Sequence, residues 1–214
     1  MDTDRKVVGV VVAHPDEETL WAGGLLIDHP SWDVFVACLC RKGEQGQPEK
    51  FSKAIDFLGA RGKMADMDDG PEQHPLPTKL VQQTTLQVLP HKWFDLIITH
   101  SPDGEYTRYR RNEEVGKAVI KLWSSGKIRA KELWTFAYED GNRRCFPKSI
   151  TDNAVNYQLR VGTWRKKYSV ITEVYGCDAD SWEAKTAPRE EIFRHVVHPK
   201  EALMQLDALK KELR

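Results

Sequence analysis

The stretch from Val7 to Leu26 constrains the fold of this chain more than any other. It reads VVGVVVAHPDEETLWAGGLL, so a run of valines ends abruptly in a polar turn, and a helical pattern follows at once. A short apolar run bounded by a polar turn is typical of a strand buried on both faces, as in a parallel sheet. We therefore expect a histidine and three carboxylates at the carboxyl end of the first strand, where open α/β sheets bind ligands.

The remainder of the chain alternates between strand patterns and helix patterns. Strands are predicted at 32–40, 63–67, 94–99 and 133–138, and helices at 48–58, 78–89, 112–123, 152–159, 163–175 and 201–213. This alternation predicts a Rossmann-like, three-layer α/β fold with a mostly parallel sheet, in a single domain over residues 1–214. The first strand is not followed by G-x-G-x-x-G, which argues against the usual dinucleotide site.

The amino-acid composition narrows the classes of molecule that the chain is expected to bind. The chain has 32 basic and 32 acidic residues, so no overall field favours nucleic acid or an anionic membrane. No apolar run approaches the ~20 residues of a membrane span, and the first residues lack the features of a signal peptide. We therefore expect a cytoplasmic protein. The leucines of the terminal helix are expected to pack on the domain or on a second copy of the chain.

The cysteines show no metal-binding C-x-x-C pair. Two of the four, Cys38 and Cys40, are separated by one residue in the second predicted strand. Alternation along a strand predicts that both lie on the same face as small core residues. Reduced thiols are the simplest account of this pattern in a cytosolic protein.

The turn after the first strand carries residue types that suit metal-assisted hydrolysis. His14 and Glu17 are three residues apart, and imidazole nitrogen and carboxylate oxygen are common ligands of Zn²⁺. Asp16, between them, is a carboxylate that could take a proton from water activated by the metal. Acids at a helix start also interact well with the positive end of the macrodipole, but that explanation does not account for the preceding His-Pro.

Several segments together resemble the PIG-L/LmbE family of metal-dependent N-deacetylases. The segment AHPDEE at 13–18 resembles the family's A-H-P-D-D-E, and RKGEQG at 41–46 resembles its R-G-E-x-G loop. Further matches follow in the same order, at Asp69-Gly70, at Thr99-His100 and in GEY at 104–106. These matches cover roughly the first half of the chain, and an ordered set is more specific than any single motif.

The resemblance implies a metal site formed by His14, Glu17 and a third ligand. At the start of the helix at 112–123 the family carries H-x-x-H, where this chain has Tyr109 and Asn112. Glu17 also stands where the family has a metal-binding Asp. Three outcomes follow: Asn112 binds Zn²⁺ or another divalent metal weakly, His100 supplies the missing nitrogen, or no metal binds. An amide oxygen is a harder donor than imidazole and suits Zn²⁺ less well.

The resemblance also implies contacts with a small N-acetylated substrate. The expected substrate-binding residues are Arg41, His100, Glu105, Tyr106, Arg108 and Tyr109. Arginine side chains can hold a phosphate or carboxylate, although Arg108 and its basic neighbours are also explained as a solvated helix face. The tyrosines could line a sugar pocket or simply pack. Some family members place a late histidine over the metal, so His198 is a second catalytic candidate beside Asp16, with a surface histidine as the alternative.

Two functions remain open on this reasoning. The first is a metal-dependent hydrolase that removes an acetyl group from the nitrogen of a small, sugar-containing substrate, with Asp16 as general base. The second is a protein of the same fold that has lost catalysis and binds a ligand or a partner through the former active site. Fold analogy supports the substrate class only by association.

Overall fold

The structure is a computed structural model that describes residues 5–106, 109–141, 144–150 and 154–212. Its strands are β1 Val7–Val12, β2 Asp33–Cys40, β3 Arg61–Met67, β4 Trp93–Thr99, β5 Arg129–Phe136, β6 Tyr138–Glu139, β7 Lys148–Ser149, β8 Ala154–Gln158 and β9 Glu190–Val196. Its α-helices are α1 Glu17–Asp28, α2 Gln47–Phe57, α3 Thr78–Val88, α4 Arg110–Ser124, α5 Val161–Ser169, α6 Trp182–Thr186 and α7 Pro199–Glu212. A π-helical turn, Val170–Val174, continues α5.

Seven strands form one sheet in the order β3-β2-β1-β4-β5-β9-β8. The first five are parallel to one another, and the crossover connections between them place their carboxyl ends at one edge. Strand β1 lies in the middle of this parallel part, and its valines from Val8 to Val12 are fully buried, which explains the unbroken apolar run. The α/β fold and the mostly parallel sheet predicted from the sequence are confirmed.

Helices cover both faces of the sheet and give three layers. Alternate residues of β1 contribute to two separate cores, with Val10 facing α1 and α2, and Val11 facing α3 and α4. Helix α7 packs against α4 on the second face. Within α1, a Cβ at Gly24 would lie 2.3 Å from Leu159 Cδ2, so the glycine allows a close approach to the chain that follows β8.

The last strands of the sheet differ from the sequence prediction. Residues 154–158, predicted as part of a helix, form β8, which pairs antiparallel with β9. Strand β9 in turn runs antiparallel to β5, with Phe136 opposite Phe193 and Leu133 opposite Val196. Because β9 runs backwards, its end lies at the amino edge of the parallel strands. His198, just beyond that end, is therefore at the edge opposite the first-strand turn.

The pairing of β2 with β3 is irregular near the carboxyl end of β2. Cys38 lies opposite Met64 but Cys40 lies opposite Met67, so the extra residue is in β3. Cys38 packs in the core on the α1 face, whereas Cys40 packs in the core on the α3 face. The prediction that the two thiols share one face is therefore wrong, because regular alternation fails at the last residue of β2, where the pairing with β3 shifts. Both side chains are buried, as predicted.

None of the helices described, α7 included, combines the length and the apolar character that crossing a bilayer requires.

Candidate functional site

A cavity of about 680 Å³ opens at the carboxyl edge of the sheet, directly above the end of β1. Three residues of the first-strand turn line it, namely His14, Asp16 and Glu17. Its other walls come from the loops after β2 and β4, from the segment around β6 and β7, and from α6. This volume lies within the usual range of small-molecule sites, and the position is the one expected for an open α/β sheet.

Asp16 holds an unusual backbone conformation at the start of α1. Its φ is 101° and its ψ is −30°, a combination that a residue with a Cβ rarely adopts. The turn is held because the Asp16 carbonyl accepts hydrogen bonds from the amides of Thr19 and Leu20, and the Asp16 amide donates to the Glu18 carboxylate. Such strain concentrates at functional sites, where it aims a side chain.

The carboxyl group of Asp16 has a strongly perturbed pKa. Burial raises the pKa well above its ordinary value, and the neighbouring Glu17 and Glu18 carboxylates raise it further, while His14 acts in the opposite direction. A carboxylate that faces a cavity and is reluctant to lose its proton is a good proton acceptor once it is ionised.

The Glu17 carboxylate accepts hydrogen bonds from donors in several parts of the chain. Its Oε1 accepts hydrogen bonds from His14 Nδ1 at 3.1 Å, Asn112 Nδ2 at 2.8 Å and the Tyr106 hydroxyl at 2.9 Å. Its Oε2 accepts from the His14 backbone amide at 2.8 Å and lies 3.1 Å from His100 Nε2. Burial alone would raise the pKa of Glu17, but His14 and His100 lower it well below its ordinary value.

The imidazole of His14 lies between two carboxylates. Nδ1 faces Glu17, and Nε2 is 3.0 Å from Asp69 Oδ1. Burial would lower the pKa of His14, but Glu17 and Asp69 outweigh it and raise the pKa to about 9. Asp69 also accepts from Arg41 Nε at 2.9 Å and from Gln73 Nε2 at 2.9 Å. Burial alone would raise the pKa of Asp69, but hydrogen bonds from His14, Gln73 and Arg41 lower it to about 2.

Two acidic side chains orient Asn112, the residue expected to be the third metal ligand. Asn112 is fully buried in α4, and its Nδ2 donates to Glu17 and, at 3.1 Å, to Glu105 Oε2. Its Oδ1 has no partner among the described residues. The amide could not be reversed without pointing its oxygen at two carboxylate oxygens. Asn112 therefore presents hydrogens, not a lone pair, to the predicted metal position.

His100 and Glu105 form a support beneath the cavity. His100 is fully buried, and its Nδ1 donates to Glu105 Oε2 at 2.7 Å. Burial would lower the pKa of His100, but Glu105 and Glu17 raise it to about 10. Neither residue lines the cavity, so the predicted contact of His100 and Glu105 with substrate is replaced by contacts to Glu17 and Asn112.

Three of the other predicted substrate-binding residues lie on the cavity wall, and the fourth is not among the described residues. Arg41, Tyr106 and Tyr109 line the cavity together with His14. The Tyr109 ring meets the His14 ring edge-on, with ring centroids 5.0 Å apart. Arg108 lies outside the described residues.

The predicted catalytic histidine His198 lies elsewhere. It is exposed, and its carbonyl accepts from the amides of Glu201 and Ala202 at the start of α7. It is absent from the cavity lining because β9 carries it to the opposite edge of the sheet.

Sequence reasoning missed most of the far wall of the cavity. The missed residues are Leu20, Asp140, Arg144, Cys145, Phe146, Trp182 and Glu183. Trp182 packs on Tyr106, with ring centroids 4.7 Å apart, and extends the aromatic surface. These residues come from short segments with no motif of their own. The Asp69-Gly70 match could have identified Asp69, which the resemblance picked out without assigning it a role.

Among the described residues, one group of His, Cys, Asp or Glu side chains could hold a metal ion together, namely His14, Cys40 and Asp69. One donor atom from each lies within 4.8 Å of the others. Burial raises the pKa of the Cys40 thiol, and the nearby Asp69 and Glu17 charges raise it further.

No protein-family model matches the chain. An uncharacterized protein of Acanthamoeba polyphaga mimivirus is 21% identical over 176 residues, covering 76% of this chain and 75% of the relative. A 1D-myo-inositol 2-acetamido-2-deoxy-alpha-D-glucopyranoside deacetylase of Corynebacterium diphtheriae is 26% identical over 133 residues, which cover 45% of each protein.

Solved structures share the fold at low identity. The N,N'-diacetylchitobiose deacetylase from Pyrococcus horikoshii aligns with a TM-score of 0.66 and 13% identity, over 92% of this chain and 85% of that one. A deacetylase triple mutant involved in teicoplanin biosynthesis gives 0.62 and 12%, over 90% and 98%. A conserved protein from Thermus thermophilus gives 0.58 and 16%, over 88% and 93%. At these identities the likeness establishes the fold alone.

Proposed function

We propose that this chain is an amide hydrolase of the PIG-L/LmbE type, which removes the acetyl group from the nitrogen of a small, sugar-like molecule. The observation that carries the proposal is Asp16, a carboxyl group held by a strained turn on the wall of the cavity. Two of the solved structures that share this fold are named as deacetylases. The cavity, the strained acid and the fold are consistent with one another.

In this proposal Asp16 moves the proton. Its carboxylate accepts a proton from the attacking water, whose oxygen forms the new bond to the acyl carbon. The C–N bond then breaks, and the same proton passes from Asp16 to the departing nitrogen, which leaves as an amine beside acetic acid; the acid then ionises to acetate, and its proton goes to the amine or to solvent. The raised pKa of Asp16 suits the first half of this transfer, because its carboxylate is a stronger proton acceptor than that of an ordinary Asp.

The predicted metal ligands fit a divalent ion only in part. His14 fits, because its imidazole lines the cavity, Glu17 holds Nδ1, and Nε2, which faces Asp69, can exchange its proton for a metal. Asn112 does not fit, because its amide hydrogens face Glu17 and Glu105. A divalent metal held at His14 would act as a Lewis acid toward the amide carbonyl and would lower the pKa of water.

The cavity walls suit a molecule with both hydroxyl groups and apolar faces. Tyr106 and Trp182 offer ring surface to a sugar. Asp140, Arg144 and Glu183 add polar groups to the lining. Arg41 and Tyr109 stand beside His14, where they could orient the acyl group.

The test is an assay of free amine released from N-acetylglucosamine, its methyl glycosides and diacetylchitobiose, with Zn²⁺ or Mn²⁺ supplied. Asp16→Asn should lower kcat by about 10²- to 10⁴-fold, the usual contribution of a general base. Asp56→Asn is the matched control, because Asp56 is exposed on α2 and should leave kcat unchanged. Full activity in Asp16→Asn would refute the role of Asp16 as the base.

A second candidate function is binding of such a ligand without turnover. It is favoured by the hydrogen-bond network of Glu17, in which Asn112 and Tyr106 both present hydrogens to Oε1. Calorimetric binding of N-acetylglucosamine by a metal-loaded protein that releases no amine would select this candidate over the hydrolase.

A further inference from the structure

We infer that His14, Cys40 and Asp69 form a divalent-metal site, on the side of the imidazole away from Glu17. The inference rests on the proposed function, because these three residues would bind the metal of the proposed hydrolase. Imidazole nitrogen, thiolate sulfur and carboxylate oxygen are the three donor types that Zn²⁺ uses in proteins. Here they come from the ends of three neighbouring parallel strands, and all lie within 4.8 Å of one another.

The last residue of β2 brings the sulfur into this group. In a regular strand Cys40 would lie on the same face as Cys38. Cys40 instead packs in the core on the α3 face, at the point where the pairing with β3 shifts register, and Arg41 then takes a φ of 64°. Bulges are common next to active sites, and here the extra residue lies in β3, between Met64 and Met67. These two local distortions flank a thiol beside a histidine, and a ligand role for Cys40 accounts for them.

Groups around the set orient each ligand. Metal-binding histidines usually donate the hydrogen of their other ring nitrogen to a carboxylate, and His14 Nδ1 faces Glu17 Oε1 at 3.1 Å. That bond fixes the ring and directs Nε2 toward Asp69. The Asp69 carboxylate is itself held by Arg41 and Gln73.

The other side of the imidazole is already filled by donors. The Glu17 oxygen nearest to His14 accepts from Asn112 Nδ2 and from the Tyr106 hydroxyl. An ion there would displace His14 Nδ1 from Glu17 and would meet amide hydrogens. On the Nε2 side, an ion would replace the proton shared between His14 and Asp69 and the proton of the Cys40 thiol.

Metal binding on this side has a simple proton balance. The Cys40 thiol and His14 Nε2 each lose a proton to solvent, so the sulfur binds as thiolate and His14 binds through Nε2 while keeping its hydrogen on Nδ1. Binding should therefore be weaker at acid pH, where more protons must be released.

The experiment is titration with Co²⁺, followed by absorption, because a cobalt–thiolate bond gives a charge-transfer band in the near ultraviolet. The natural protein should bind one Co²⁺ per chain with this band, and Zn²⁺ should displace it. Cys40→Ser should abolish the band. Cys38→Ser is the matched control, because Cys38 is a buried thiol two residues away in the other core, and it should keep the band.

Further variants separate this site from the one predicted from sequence. Asp69→Asn should weaken Co²⁺ binding at least 10-fold, whereas Asn112→Ala should keep the band with the natural stoichiometry. Circular dichroism establishes that each variant is folded, and Cys40→Ala replaces Cys40→Ser if the latter is not. A band that survives in Cys40→Ser, or no Co²⁺ bound at all, would overturn the inference. Deacetylation by a protein that binds metal without the band would also overturn it, while leaving the proposed function intact.

Discussion

The buried pair of Lys167 and Glu191 gives the sharpest prediction about stability. Lys167 Nζ lies 2.8 Å from Glu191 Oε1, and both side chains are fully buried. The same carboxylate accepts from the backbone amides of Gly24 and Leu25, inside α1. Burial raises the pKa of Glu191 and lowers the pKa of Lys167, so desolvation opposes the charge on each. Each charge therefore depends on the other.

Lys167→Met keeps most of the side-chain volume but removes the cation. Glu191 is then left with two amide donors and no counter-charge, a loss expected to lower the free energy of unfolding by about 3–5 kcal/mol. For a chain of 214 residues this corresponds to a Tm about 6–20 °C lower. Urea denaturation followed by tryptophan fluorescence measures the difference.

The loss of stability caused by Lys167→Met should become smaller as the pH falls. Without Lys167, the folded-state pKa of Glu191 rises further above the value of about 4.3 for an unfolded chain. The folded variant then binds a proton that the unfolded variant does not, so its deficit relative to the natural protein shrinks as pH falls from 7 toward about 5. Lys167→Met with Glu191→Gln should be more stable at pH 7 than Lys167→Met alone.

A matched control is available on the surface. Lys117 and Glu113 form a half-exposed ion pair on α4, at 2.6 Å. Lys117→Met should change stability by less than about 1 kcal/mol. The reasoning would be refuted if Lys167→Met lowered the free energy of unfolding no more than this control does. It would also be refuted if the decrease were the same at pH 5 and pH 7.

Two further substitutions test other contacts. Gly24→Ala should lower the free energy of unfolding by about 1–3 kcal/mol through overpacking against Leu159, whereas Gly162→Ala, with open space around its Cβ, should lower it little or raise it. A Gly24→Ala variant with natural stability in urea would contradict the close packing. Asn112→Asp should lower stability by about 3 kcal/mol at pH 7, because a third buried acid would face Glu17, and by less at pH 5, where a protonated Asp can donate again. Equal losses at both pH values would argue against this charge effect.

The parallel half of the fold could be predicted from sequence because local and tertiary signals agree there. The valine run of β1 is apolar on both faces and is also buried on both faces. Strands β8 and β9 lack this agreement. Residues 154–158 alternate in burial on the exposed edge strand of the sheet, and their pairing with β9 depends on residues more than thirty positions later. A helical pattern in a short window could not reveal that partner.

The site was predictable where one segment carries several of its residues. His14, Asp16 and Glu17 are adjacent in sequence, and the structure brings them together on the cavity wall. Cys40 was not predictable, because alternation places it on the face of Cys38 and only the pairing of β2 with β3 shows where the regular strand ends. His198 was misplaced for a similar reason, since the direction of β9 decides which edge it reaches.

Glu17 has a consequence for how this sequence can vary. Its carboxylate binds groups from the end of β1, the end of β4, the following loop and α4. Residues that share one acceptor do not contribute additively, so the effect of a substitution at Asn112 should depend on which acid stands at Glu17. Positions 17 and 112 should therefore covary among relatives: an amide at 112 should accompany the longer acid at 17, and a change at either position alone should be rare.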